Sequence, residues 1–478
     1  MDFVRTALTA ILLAAGAILT GLSVATLPFY EEKSITSPLV GYTAALWVVF
    51  ALAILALHRV PARAVVALVM AGSVAIGGAA LLGPPNTSTD SARYAWDGIV
   101  ANAGISPYDY VPADPALDDL REDWLFPPAV LDESGDATCD GERIMRVTQP
   151  GTGDTLCTAI NRAKVPTIYP PTSELFFAGL RAVTGPDAEY WPTQLAGLIM
   201  SLGITVLLLR ALRASGRDPR WAALWGWSPL AATEGVTNSH VDLLGALLLF
   251  GATLLVANGK RFTGGLALGA SIAVKLIPVI GAPALLGRRP WRVIVASVVA
   301  FAGLYVPYVI ASGPGVLGYL PGYLTEEGYE SGDRFILVSL LVPGPAALFV
   351  AAALVAVTGM LVWWKTDPAN PWLGQVVMIG VTLLIVTPRY PWYALLLVPM
   401  IAMTGRWEWL AVPLALTERL LVPSTDLARI SATAAIVVIV IVSLRRAAPG
   451  TIPRAIARLR HPRLWISRKS AGTRESSR

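Results

Sequence analysis

The sequence predicts an all-α, multi-pass integral membrane protein. Hydrophobic residues make up 55% of its 478 positions and charged residues only 14%, against about 25% charged in soluble domains. Apolar runs of roughly twenty residues, the length that crosses a hydrocarbon core, recur from end to end. Backbone polar groups in lipid must find partners within the protein, so the spanning segments are expected to be helices.

Charge sets the orientation. From Arg445 onward there are ten Lys/Arg and one acid, Glu475, a net +9, whereas residues 84–170 carry fourteen acids and six bases, a net −8. Lys and Arg are retained in the cytoplasm, so the tail 445–478 is expected inside and the acidic loop outside. The tail reads as a topology determinant touching anionic lipid heads, with no nucleic-acid role. Both cysteines, Cys139 and Cys157, fall in the acidic loop, where a disulfide is expected.

The elements follow in order. Residues 7–27, 39–57 and 64–83 read as three spans, the first a retained anchor because its apolar part is too long for a signal peptide. The basic turn 58–63 places the loop after the third span outside. Residues 190–209 end in Arg210, Arg213, Arg217 and Arg220 and so run inward. Residues 171–184 then cannot cross, and are expected as an amphipathic helix at the outer interface. Residues 221–236 go out and 243–257 return. Basic residues on both sides of 262–287 require an even number of crossings or none, which two half-helices meeting near Lys275 satisfy. Such breaks are tolerated where they line a cavity. Further spans are expected at 291–312, 345–364, 372–387, 391–405, 407–423 and 427–444. That gives about twelve segments, or fourteen with the half-helices, and both termini cytoplasmic in the plasma membrane. The organisation is three N-terminal helices (1–83), an extracytoplasmic loop with its interfacial helix (84–189), a helix bundle (190–444) and the tail.

Polar residues collect at the predicted outer ends. They are Asp90, Arg93, Tyr94, Trp96 and Asp97; Tyr169 to Pro171 and Glu174; His240 and Asp242; Lys275; residues 326–334; and Arg389, Tyr390, Trp392 and Tyr393. Ionisable groups at membrane depth are costly and usually face a cavity. Each also has a plainer explanation. The aromatics suit an interfacial belt, Arg93 can pair with Asp97 one turn on, and His240 and Asp242 can cap a helix. Together, cations suit a phosphate and carboxylates suit activation of a sugar hydroxyl. No phosphate-cradling loop or dinucleotide fingerprint is present, so an energised donor would arrive already in the membrane.

The segments RYAWDGIVANAGISPYDYVPADPAL, VPTIYPPTSELFF, NSHVDLLGALLLF, GLALGASIAVKLIP and TPRYPWYALLLVP resemble those of GT-C membrane glycosyltransferases. The nearest likeness is to bacterial, especially actinobacterial, polyprenol-phosphate-mannose-dependent mannosyltransferases. The likeness spans roughly residues 64–405 and implies a GT-C-like fold with the long outer loop over the site. It implies an inverting transfer of a sugar, mannose by the nearest likeness, from a polyprenyl-phosphate donor to a cell-envelope glycolipid or glycan. Asp97 occupies the place of the catalytic base, with Asp90 its rival. Arg93, Lys275 and Arg389 suit the donor phosphate; Tyr94, Trp96, Tyr169, Glu174, His240, Asp242, Tyr390 and Tyr393 suit substrate. No cofactor is implied. A divalent metal between Asp97 and Asp242 stays open, since the loop has no D-x-D. The alternative is a transporter or flippase for a polar lipid or metabolite.

Overall fold

The computed structural model describes residues 2–30 and 34–447, so the tail beyond 447 lies outside the described residues. Three helices open the chain, α1 (Asp2–Thr26), α2 (Pro38–Leu57) and α3 (Ala62–Ala79). Helix α4 (Asp90–Asn102) follows at once, and α5 (Pro171–Thr184) comes after a long loop. The fourteen residues of α5 occupy the bounds expected of the interfacial helix. Next comes α6 (Trp191–Ala214).

Seven helices among the described residues are long and apolar enough to cross a membrane: α1, α2, α3, α6, and those at Trp291–Glu326, Ala346–Lys365 and Thr425–Arg446. Pro229–Thr237 and Asp242–Ala257, bent by 119°, make an eighth if counted as one broken span. The chain is an all-α multi-pass membrane protein. Twelve to fourteen segments were expected, and the lower number has a local cause. Residues 219–237 form four pieces, Pro219–Ala222, Ala223–Gly226, Pro229–Ala232 and a π-helical turn at Thr233–Thr237. Pro229 lacks the N–H that would continue the preceding helix, so it starts a new one. Residues 391–404 likewise split into a 3₁₀ turn, Pro391–Leu396, and a short helix, Val398–Thr404. Around Lys275 one helix, Arg261–Ile272, gives way to a 3₁₀ turn, Ile277–Gly281, and a single helical turn, Pro283–Leu286. The second expected half-helix is therefore two shorter pieces.

Lipid replaces water as the outer solvent. The Trp291–Ser312 helix buries Val293, Ala296 and Ser297 and leaves Val298, Val299 and Ile310 exposed, an outer face suited to acyl chains. Its inner face meets Arg261–Ile272 through small residues. A Cβ on Gly269 would lie 2.3 Å from the Ser297 carbonyl oxygen, and the Ser297 hydroxyl donates to the Gly265 carbonyl at 2.9 Å. Close backbone approach of this kind drives helix association where burial from water cannot.

Helix α4 and the long loop that follows it share a small core of Ala92, Trp96, Ile99, Leu117, Leu125, Phe126 and Ile160. Two antiparallel ribbons flank it, β1 (Val130–Leu131) with β2 (Ala137–Thr138) and β3 (Met145–Thr148) with β4 (Thr155–Thr158). Cys139 and Cys157 are disulfide-bonded, their Cα atoms 5.4 Å apart. Helices α4 and α5 pack almost backbone to backbone at Gly98, where a Cβ would stand 2.5 Å from the Phe177 carbonyl oxygen.

Candidate active site

The break at residues 238–241 organises the site. Backbone bonds close the π turn, with Asn238 N donating to Thr233 O at 2.8 Å and His240 N to Glu234 O at 2.9 Å. Ser239 then takes a left-handed backbone, φ 47°, uncommon for a residue with a Cβ. The Asn238 carboxamide oxygen accepts from the backbone N–H groups of Asn86 and Thr87 at 3.0 and 3.1 Å. Gln194 ties the same region from α6, donating to the carbonyls of Gly83 and Thr237, each at 2.9 Å. These bonds fix the segment that leads into α4, and so set Asp90, its first residue, against His240.

Asp90 is the hub. One carboxylate oxygen accepts from the Asn161 amide at 2.6 Å, and the other lies 3.5 Å from the Tyr169 hydroxyl and 3.6 Å from His240 Nδ1. Burial pushes this carboxyl up, but the nearness and charge of His240, with charge from Lys275 and the Asn161 bond, outweigh it and hold Asp90 well below the usual carboxylate range. The His240 ring stacks on Trp392 with centroids 3.6 Å apart, and Trp392 stacks in turn on Tyr390 at 4.5 Å. On the far side His240 Nε2 lies 3.2 Å from Glu234 Oε2. Both atoms are buried, and their alignment falls short of a hydrogen bond, which leaves a charge contact.

Lys275 sits in the break after Arg261–Ile272. Helix α5 anchors that break, Thr172 N donating to the Ala273 carbonyl at 2.9 Å and the Ser173 hydroxyl to the Val274 carbonyl at 2.7 Å. The ammonium donates to Asp242 Oδ2 at 2.8 Å and stands 4.8 Å from the centre of the Tyr393 ring. Lys275 keeps 20% of its side chain exposed while Asp242 keeps 1%, so the cation is reachable and its partner is not. The hydroxyls of Tyr393 and Tyr323 are 2.9 Å apart. Beside this group, Arg162 of the α4–α5 loop clasps Glu326 with a shortest contact of 2.6 Å, joining that loop to the segment after Ser312.

Of the residues expected to act together, Asp90, Tyr169, His240, Asp242, Lys275, Tyr390 and Tyr393 converge. Tyr94 borders them, stacked on Phe177 at 4.5 Å with its hydroxyl 3.5 Å from Val241 N. The others lie apart. Trp96 faces the loop core against Phe126. Arg389 is exposed. Arg93, Asp97 and Glu174 form a second buried group: Arg93 Nε donates to Asp97 at 2.8 Å and its Nη1 to the Val165 carbonyl at 3.1 Å, while the Thr167 hydroxyl donates to Glu174 at 2.8 Å. Burial, against the pull of Arg93, raises the Asp97 carboxyl. Burial and then the charge of Asp97 raise Glu174 well above its ordinary value. Asp97 and Asp242 belong to different groups, and among the described residues no set of three or more His, Cys, Asp or Glu is placed to hold a metal ion.

Glu234, Asn161, Asn238, Gln194 and Tyr323 were absent from the expected site. Only Glu234 carried a signal, as the lone carboxylate inside the apolar run 221–236.

Residues 167–390, slightly less than half of the chain, match the profile of glycosyltransferase family 87. Tyr169, Glu234, His240, Asp242, Lys275 and Tyr390 all lie in that stretch. A segment is also 39% identical over 83 residues to GPI mannosyltransferase 1 of Gibberella zeae, covering 16% of this chain and 19% of that protein. These likenesses support a membrane glycosyltransferase. The chain thus matches about a fifth of the length of that relative, and no solved structure matches it.

Proposed function

We propose that the protein transfers a sugar, mannose by likeness, from a polyprenyl-phosphate donor to a hydroxyl of a cell-envelope glycolipid or glycan, inverting at the anomeric carbon. The site would face outward from the plasma membrane, with both termini cytoplasmic, as the charge distribution predicts. The observation that carries the reading is the Asp90 cluster: a partly exposed carboxylate near a reachable lysine, within a wall of stacked aromatic rings suited to a sugar.

The roles follow from position. Asp90, rather than Asp97, is the proposed base, because Asp97 is committed to Arg93 and lies about 10 Å further along the helix axis at 1.5 Å per residue. The acceptor oxygen attacks C1, its proton passes to Asp90, and polyprenyl phosphate departs. Lys275 meets the charge that develops on the leaving phosphate, and Arg389 offers a second, exposed cation at the rim. Tyr390, Trp392 and Tyr393 supply apolar ring faces and hydroxyls for the sugar. A transporter would need access to the cluster from both sides of the membrane, whereas a transferase needs it from one.

The test is transfer by purified protein in detergent, given polyprenyl-phosphate mannose, glucose or arabinofuranose and a glycolipid acceptor. The expected outcome is a glycosylated product of inverted configuration from one of them. Donor uptake into vesicles with no transfer would overturn the reading in favour of transport.

A further inference from the structure

We infer that Glu234 is the positioning partner of His240 in a proton relay that starts at Asp90. This rests on the reading of Asp90 as the base. Glu234 lies in a segment where an acid has no solvent to satisfy it, and it is 4% exposed. The chain nevertheless forms a π turn there, a device concentrated at functional sites, and the left-handed Ser239 follows. The result brings Glu234 Oε2 to 3.2 Å from His240 Nε2, while Nδ1 of the same ring stands 3.6 Å from Asp90 Oδ2. Three groups lie in series, carboxylate, imidazole, carboxylate, and the ring between them is clamped flat on Trp392.

A base that turns over must lose the proton it gains. Above the acid limb of the rate profile His240 is neutral; the charge of Glu234, 3.2 Å from Nε2 though not aligned as a hydrogen bond, favours the proton on Nε2, so that Nδ1 presents its lone pair toward Asp90. When the acceptor O–H breaks and its oxygen bonds to C1, the proton goes to Asp90 and the C1–phosphate bond releases its electron pair to the phosphate. The same proton then passes to His240 Nδ1, and Glu234 stabilises the imidazolium. The proton returns through Asp90, whose side chain is 14% exposed while that of His240 is closed to solvent, as product departs, and the cycle resets. Glu234 touches no reacting atom; it selects the tautomer and compensates the charge, as the buried acid does in a serine hydrolase triad. The other groups facing this chain are Tyr169 on Asp90, the Tyr94 hydroxyl at Val241, and the Lys275–Asp242 pair, whose opposite charges largely cancel.

The experiment measures kcat, KM and the acid limb of the rate profile for wild type, Glu234→Gln and Glu234→Asp with the donor that the wild type uses. Glu234→Gln is expected to lose roughly 10- to 100-fold in kcat, the scale on which outer partners of an oriented imidazole act, with KM nearly unchanged. Its acid limb should move to lower pH, because an imidazolium without its carboxylate forms less readily and His240 stays neutral longer. Glu234→Asp, which keeps the charge, should regain part of kcat and lie nearer the wild-type limb. A folded Glu234→Gln with wild-type kcat, or one that loses rate while its limb stays put, overturns the relay. Should Glu234→Gln not fold, Glu234→Asp decides: unchanged kcat and an unmoved limb overturn the relay, and a lowered kcat with a displaced limb supports it. A wild type that transfers no sugar overturns the functional reading instead, so the two failures are distinct.

Discussion

Two aspartates on one helix, seven residues apart, meet opposite surroundings. Asp90 starts α4 where the chain has just been tied to a broken helix, and its neighbours arrive from three places: Asn161 and Tyr169 in the α4–α5 loop, His240 in the 238–241 turn, and Lys275 in a second break. Asp97 lies in the middle of α4 against the unbroken α5, with one arginine, one threonine hydroxyl and a second carboxylate for company. Broken helices bring distant parts of the sequence to one point, and intact ones bring their own neighbours. The proposed chemistry, which needs a base, a cation and a sugar surface together, is therefore assigned to the breaks, and a structural role in holding the loop is assigned to the α4–α5 pair.

That division predicts different damage from removing the cation on each side. Arg93→Met strands Asp97 in a dry interface, and loss of one partner of a buried pair typically costs about 3–5 kcal/mol of stability. Thermal unfolding in detergent should show the loss, with turnover per folded molecule close to wild type. Lys275→Met also strands a buried carboxylate, Asp242, so some stability is lost, but its partly exposed lysine is assigned to the donor and donor affinity should fall as well, by about 2–5 kcal/mol. Titration calorimetry with donor separates the two; equal donor affinity in Lys275→Met and wild type would break the assignment.

A smaller effect concerns pH and has opposite signs in the two regions. Burial raises Glu174 and Asp97, so the folded state holds more protons than the unfolded one from the ordinary carboxylate range upward. Stability should then fall as pH rises through that window. Glu174→Gln removes part of this slope. Asp90 is depressed by His240, Lys275 and Asn161 against its own burial, so its contribution is present above the ordinary range and is lost as pH falls through its low folded value. Unfolding temperatures between pH 4 and pH 7 for wild type and Glu174→Gln check the sign; a wild type that gains stability across that range relative to Glu174→Gln would contradict it.

Much of the fold was legible because its signals are local. The spans α1, α2 and α3 follow from apolar length, and α5 takes the fourteen-residue bounds expected of it. The breaks were less legible. Pro229 marks one plainly, but a π turn at Thr233–Thr237 has no sequence signature, so residues 221–236 read as one span. The site was half legible for the same reason. Polar residues at outer helix ends could be gathered by position, and Tyr169, His240, Asp242 and Lys275 do converge. The choice between Asp90 and Asp97 turns on which face of α4 meets the 238–241 turn, and that depends on Asn238 and Gln194, whose bonds span more than forty residues.

The most direct measurement sets Asp90→Asn beside Asp97→Asn, scoring turnover per folded molecule and unfolding temperature for each. Asp90→Asn should lose about 10²–10⁴-fold in turnover, as removal of a general base does, with little change in unfolding temperature. Asp97→Asn should unfold at lower temperature while each folded molecule turns over within a few-fold of wild type. The reverse pattern, an active Asp90→Asn beside a folded but inactive Asp97→Asn, would contradict the account and return the base to the middle of α4.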